Sequence, residues 1–214
     1  MSKNVIAERA KQQLSTVLLT VLSIVQAIAL ELIWSYVLEQ EALYTASFES
    51  LLGWVQVGAT LLGIVLIWLT YSGLVMRFRW VPSTVDSILP FVVGIIEFGV
   101  VAMLGLDHLG EWFLVLALAV GVAQWVVQSS MRRARLDEDN VAFFSDFPPA
   151  TLRDHFPGIL IVASLASVGI ALVITRDRGL FALLALSFAV LIHGYQLYLV
   201  DYYWKRSVGQ AARS

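Results

Sequence analysis

Three ionisable side chains interrupt the long apolar stretches of this sequence, and they are its best candidates for chemistry. Glu97 stands near the middle of the apolar run 87–106, His193 has a similar position in the last run, and Glu31 lies towards the end of the first. A charge at the centre of a membrane helix costs about 2.5–3.5 kcal/mol on the insertion scale, so such groups are usually neutral, paired or functional. Because imidazole exchanges protons readily near neutrality, we expect Glu97 and His193 to form a proton-handling pair. The alternatives are a purely structural buried hydrogen bond and a regulatory pH sensor.

Amide side chains extend this polar set. Gln26 lies beside a stripe that recurs at a stride of four and therefore shares one helical face, formed by Ser23, Ala27, Glu31 and Ser35. Lipid is an unfavourable neighbour for such a stripe, so we expect it to line a crevice. The sequence predicts an intramembrane polar pathway formed by Glu31, Glu97, His193, Gln26 and Gln124.

The elements that must position these groups are membrane helices. The 214 residues are 59% hydrophobic and only 14% charged, whereas an ordinary soluble domain is about 25% charged. Runs of this length cover the roughly 30 Å hydrocarbon layer as helices. We expect an all-α integral membrane protein with one six-helix domain and spans at about 14–38, 51–75, 88–106, 112–130, 157–175 and 180–203. The first run is long and lacks a small-residue cleavage site, so we expect it to be retained.

The charges between the runs predict an orientation. If the amino terminus is cytoplasmic and the spans alternate, twelve of the fourteen basic residues fall inside, and only Arg176 and Arg178 fall outside. Cytoplasmic loops carry such an excess of Lys and Arg. We therefore expect a bacterial-type inner membrane protein with both termini in the cytoplasm.

Two cytoplasmic segments resemble each other. Pro82–Pro90 reads PSTVDSILP and Pro149–Pro157 reads PATLRDHFP, and each opens a span. Two copies in the same orientation favour a parallel repeat of two-helix hairpins, with three hairpins in all. The alternative is that any span entered from this side begins with Pro and a Ser or Thr cap.

The loop 131–155 is the longest polar segment, and it changes from basic to acidic to aromatic. It could bind a cytoplasmic protein, lie on the membrane surface, or simply pack against helix ends. The candidate residues for partner or lipid contact are Arg77, Arg79, Arg132, Arg133, Phe143, Phe144 and Phe147.

Several activities lack their required residues. The chain has no cysteine, and its three histidines are far apart in the sequence, which argues against thiolate chemistry and a multi-histidine metal centre. Motifs for nucleotide binding, serine hydrolysis and zinc proteolysis are missing. We therefore expect no enzymatic activity, no cofactor or metal and no nucleic-acid partner.

The favoured function is a small channel or transporter with a protonatable polar pathway, carrying protons or a small ion. The alternative is a non-conducting sensor, effector or assembly subunit that binds a cytoplasmic partner through loop 131–155. Small residues at four-residue spacing, such as Ala163, Ser167 and Ala171, permit close helix packing, so we expect the fifth span to lie at the centre of the bundle or at a subunit interface. We also expect the protein to form a homo-oligomer in the lipid bilayer.

Overall fold

The fold is described by a computed structural model, which covers residues 5–145 and 148–211, with the side chains of 208–211 left out. These residues form helices and connecting turns, with no strand in the described ranges. Six helices are long and apolar enough to cross a membrane, as the sequence predicts. The α-helices are α1 Val5–Glu39, α2 Phe48–Arg77, α3 Thr84–Ala102, α4 Leu109–Arg135, the short α5 Val141–Phe144, α6 Leu152–Thr175 and α7 Leu180–Ala211.

Capping boxes begin both helices that follow the proline-rich segments. The Asp86 carboxylate accepts hydrogen bonds from the Ser83 backbone N–H and hydroxyl, both at 2.8 Å. Asp154 accepts the same two bonds from Thr151 at 2.7 and 2.8 Å. Each box satisfies backbone donors that the first helical turn leaves free. Pro90 and Pro157 lie within the following two turns of α3 and α6.

The third span lies four residues earlier than predicted, because α3 runs from Thr84 to Ala102 instead of 88–106. Gly105 follows with a φ of 114°, a conformation that only glycine adopts easily. Its backbone N–H donates to the Gln56 side chain at 3.1 Å. Gln56 is buried in α2, so this amide holds the turn between α3 and α4.

Helix neighbours do not simply follow the chain order. The most extensive contacts join α4 to α6, α2 to α7 and α1 to α3, with further packing of α3 on α4 and of α1 on α2. Helices α6 and α7 are consecutive but touch much less. Each of these two therefore packs mainly on an earlier helix.

The tightest contact lies between α4 and α6. A Cβ atom added to Gly110 would stand 2.5 Å from the backbone nitrogen of Val173 and 3.0 Å from the carbonyl oxygen of Gly169. The two backbones therefore touch directly, as small residues allow in membrane helix pairs. Trp112 and Phe113 fill the space beside this contact with no exposed surface. Their core cluster includes residues of all six long helices.

Candidate functional site

The Glu97 carboxyl group is buried where α3 packs on α1. Its side chain is 2% exposed, and its Oε1 accepts a hydrogen bond from Gln26 Nε2 at 2.7 Å. The other oxygen, Oε2, is buried and has no hydrogen-bond partner among the described residues. Glu97 therefore holds one satisfied and one unsatisfied oxygen inside the bundle.

The lack of a side chain at Gly94 allows α1 and α3 to approach closely enough for Gln26 and Glu97 to pair. A Cβ atom at Gly94 would stand 2.5 Å from Val25 Cγ1, so any larger residue would push the helices apart. Val25 precedes Gln26 in α1, and Gly94 lies one turn before Glu97 in α3. The close approach brings the amide and the carboxyl together across the same contact.

His193 occupies a different helix contact. It is 2% exposed, and its imidazole lies against Gly63 of α2, 3.6 Å from the position of a Cβ there. Its Nδ1 is buried without a hydrogen-bond partner among the described residues. No hydrogen bond or ion pair joins this imidazole to Glu97 in the described part of the chain, so the expected pair is not seen. The reason is the helix order: α7 packs on α2, whereas α3 packs on α1 and α4.

The stripe on α1 lies on the outside of the single chain. Ser23, Ala27, Glu31 and Ser35 are all exposed. The buried residues of α1 follow the opposite face and include Leu22, Val25 and Ile33. The expectation that this stripe lines a crevice is therefore not met within one copy of the chain.

Gln124 contributes to yet another contact. Its side chain covers Gly158 of α6, where an added Cβ would stand within 3 Å of the Gln124 amide atoms. Of the five predicted pathway residues, the structure thus brings only Gln26 and Glu97 into direct contact. Gln124, His193 and Glu31 lie at separate places in the bundle.

A buried ion pair, which the sequence alone does not predict, lies at the end of the bundle where α1 begins. Asp86 has no exposed side-chain surface, and its Oδ1 accepts a hydrogen bond from Arg133 at 2.7 Å. The guanidinium also donates to the Ser130 hydroxyl at 3.2 Å. The pair joins the start of α3 to the end of α4. The Ser-x-x-Asp capping pattern at 83–86 was the available signal for Asp86, although it does not indicate the arginine.

The other arginines predicted to meet lipid or a partner differ in their surroundings. Arg79 pairs with Glu8 at 2.9 Å, and Arg77 Nη1 donates to the Ser207 hydroxyl at 3.3 Å. Arg132 is exposed. Internal contacts therefore engage Arg77, Arg79 and Arg133 and leave Arg132 facing outwards.

Two phenylalanines of loop 131–155, Phe143 and Phe144, pack inwards. Phe144 is buried, and its ring centroid lies 5.2 Å from that of Phe78 at the end of α2. Phe143 meets the same ring edge-on at 4.9 Å. This arrangement matches the packing interpretation of the loop for these two residues. Phe147 lies outside the described residues.

Arg176 and Arg178, the two basic residues that depart from the positive-inside pattern, both form ion pairs at the opposite end of the bundle. Arg178 pairs with Asp107, and Arg176 pairs with Glu111 at 3.2 Å. Both bonds join the α6–α7 connection to the region where α4 begins. An open cavity of about 210 Å³ lies beside Arg178, lined also by Tyr36, Gln40, Ala42, Leu43, Glu49, Gly53, Leu106 and Asp107.

Among the described residues, no three His, Asp or Glu side chains are placed to hold a metal ion. No known protein family model, curated protein or solved structure matches this chain.

Proposed function

We propose that the protein is a small multi-pass membrane transporter or channel in which Glu97 binds the transported or coupling proton. The observation that carries this proposal is a buried carboxyl group with a single hydrogen bond, from Gln26, and a second oxygen without a partner among the described residues. Carboxyl groups inside membrane bundles commonly mark ion and proton pathways.

The amide partner suits a group that changes its protonation state. Gln26 donates its N–H to one carboxyl oxygen, and that bond can form whether Glu97 is neutral or ionised. The second oxygen would carry the proton in the neutral form and accept a hydrogen bond or a cation in the ionised form. A small cation is the other ligand that this oxygen could accept.

His193 forms the second part of the proposal. Its buried and partly unsatisfied imidazole lies at the α2–α7 contact, away from Gln26. We assign it a separate step in proton movement, because no direct bond links it to Glu97. Conformational change or water would have to connect the two groups.

Orientation and architecture are part of the same proposal. Ion pairs place the starts of α1 and α3 and the ends of α2 and α4 at one end of the bundle. The positive-inside rule supports a cytoplasmic location for this end in a bacterial-type inner membrane. Packing supports hairpins for α1–α2 and α3–α4, whereas the α6–α7 pair has few contacts.

The positions of the helix starts do not favour the internal repeat that the proline spacing suggests. When the two proline segments are aligned, Ser83 aligns with Ala150 and not with Thr151. The two capping boxes are therefore offset by one residue. Independent selection of a good cap explains both segments without duplication.

Proton flux tests the function directly. The purified protein would be reconstituted in liposomes that contain a pH-sensitive dye. A pH gradient would be imposed across the membrane, and a potassium diffusion potential would be added to drive proton movement. We expect gradient relaxation that Glu97→Gln slows at least tenfold. Glu31→Gln is the matched control, since it removes an exposed carboxyl group and should leave the flux within twofold.

Equal flux for Glu97→Gln and the unmodified protein would refute the role of Glu97. Absence of flux from folded protein, with sodium and potassium gradients also tested, would refute conduction. That second result would favour the sensor or assembly alternative. With Phe143 and Phe144 packed inside, such a partner would have to use other residues of the 131–155 loop.

A further inference from the structure

The exposed side of α1 has a stripe of small and polar residues beside large apolar ones such as Ile24, Trp34 and Leu38. This stripe, the α1 face, carries Thr16, Thr20, Ser23, Ala27, Glu31 and Ser35, all exposed in the single chain. Nineteen residues separate its ends, which corresponds to about 28 Å of helix at the standard rise. This α1 face therefore extends over nearly the whole hydrocarbon thickness.

The outer faces of α3 and α7 differ from it. Exposed positions on α3 include Ile88, Phe91 and Ile95, and those on α7 include Leu184 and Leu191. These are the apolar side chains that acyl chains solvate well. The α1 face instead presents hydroxyl groups, an alanine and a carboxyl group.

Glu31 is the residue of the α1 face that lipid would solvate least well. Its carboxyl group forms no hydrogen bond or ion pair with any described residue, and it lies eight residues before the end of α1, about 12 Å along the helix axis. A carboxyl group in contact with acyl chains is costly. A neighbouring protein surface with hydrogen-bonding groups would remove that cost.

We propose that a second copy of this chain covers the α1 face, through a two-fold contact in which α1 packs in parallel on its counterpart. This inference goes beyond the transport proposal and does not depend on it. Copies in one membrane share their orientation, so a two-fold axis along the membrane normal places identical residues at the same depth.

The α1 face is chemically complementary to itself. A carboxyl oxygen accepts hydrogen bonds and a hydroxyl group donates them, so Glu31 can accept a hydrogen bond from the Ser35 hydroxyl of its counterpart. Small side chains at Ser23 and Ala27 allow the two backbones to approach closely. From Gln12 to Leu38, α1 carries a single acidic or basic residue, Glu31, so any charge repulsion between two identical helices is confined to that position.

Cysteine cross-linking tests this contact cleanly, because the natural chain contains no cysteine. Ala27→Cys places one thiol in the α1 face. Ile95→Cys is the matched control, since Ile95 is 69% exposed and its neighbour Gly94 packs on Val25, which places it at nearly the same depth. Disulfide formation requires Cα atoms within about 7 Å.

In liposomes treated with a copper–phenanthroline oxidant, we expect Ala27→Cys to form a disulfide-linked dimer at least tenfold faster than Ile95→Cys. The difference should persist when the lipid-to-protein ratio is raised tenfold, which removes random collisions. Equal rates for the two variants, or rates that fall together on dilution, would overturn the proposal.

A second comparison tests the role of the carboxyl group. In the Ala27→Cys background, Glu31→Leu should slow cross-linking at least fivefold, whereas Glu31→Gln, which keeps hydrogen-bonding groups, should retain most of the rate. Since position 31 is exposed, neither change should disturb the fold. Unchanged cross-linking in Glu31→Leu would overturn the role of Glu31, and proton flux through Glu97 provides a separate readout.

Discussion

Replacing Arg133 by methionine would remove the counter-ion of a carboxylate that has no exposed surface. Asp86 and Arg133 approach to 2.7 Å, where two unit charges attract by about 6 kcal/mol at an effective dielectric constant of about 20. Desolvation offsets much of this attraction. Removal of one partner from a buried pair typically costs about 3–5 kcal/mol, because the other charge stays buried.

The expected loss lies near the lower limit of that range, at about 3 kcal/mol, because a quarter of the Arg133 side chain is exposed and water can partly replace it. Asp86→Asn should cost less, about 1–2 kcal/mol, because the remaining guanidinium can reach water and the amide oxygen can still accept from Ser83. In the double variant the two losses should overlap by about 2 kcal/mol, since only one interaction is removed.

The free energy of unfolding can be measured by titrating SDS into mixed micelles while following tryptophan fluorescence. Arg132→Met is the matched control: Arg132 is the adjacent residue and is exposed, so its loss should change stability by less than about 0.5 kcal/mol. The reasoning fails if Arg133→Met is no more harmful than Arg132→Met. It also fails if the losses of the single variants add without overlap.

Three further substitutions test individual contacts inside the bundle, and the same unfolding titration measures each of them. Gly110→Ala should destabilise by about 1–3 kcal/mol, because the new Cβ would lie 2.5 Å from the backbone of α6, whereas Gly121→Ala, with its nearest neighbour at 3.8 Å, should be nearly neutral; equal effects would contradict the close contact. Phe144→Ala should cost about 3 kcal/mol because this ring is buried, and a neutral result would return it to the list of partner contacts. Gln26→Leu should cost about 1–3 kcal/mol by leaving Glu97 without its donor, and no change would show that their bond contributes nothing.

The helices themselves follow from hydropathy, because six long apolar runs have no other low-energy structure in a bilayer. Their ends are less predictable. Ser83 and Thr151 begin capping boxes that the sequence displays, but α1 begins nine residues before its predicted span and α7 ends eight residues after its own. At the end of α3, Gly105 adopts a positive φ and Gln56 fixes the turn from another helix. Such a tertiary contact leaves no local pattern in the sequence.

The neighbours of each helix could not be predicted in the same way. In a soluble protein, polar residues mark the outside of a helix, but in a membrane protein both lipid-facing and buried faces are apolar. Glu97 and His193 were therefore matched by depth alone, without knowledge that α3 packs on α1 and α7 on α2. Gly94, one turn before Glu97, is the more informative residue, because a glycine permits close helix approach, but the sequence does not identify Val25 as its neighbour.

Glu31 and Glu97 show why the depth of an acid in the membrane is a weaker guide to its role than the direction in which its side chain points. Glu97 points into a helix contact and receives a hydrogen bond from Gln26, while Glu31 points away from its own bundle. A carboxyl group sealed within one chain can bind and release a proton only if water or a moving helix reaches it, which suits transport. A carboxyl group on the outer face can gain hydrogen-bond partners from a neighbouring molecule without any movement of its own chain, which suits assembly. The two acids should therefore have different effects in the two assays. Substitution of Glu97 should change proton flux but not cross-linking through Ala27→Cys, and Glu31→Leu should slow that cross-linking.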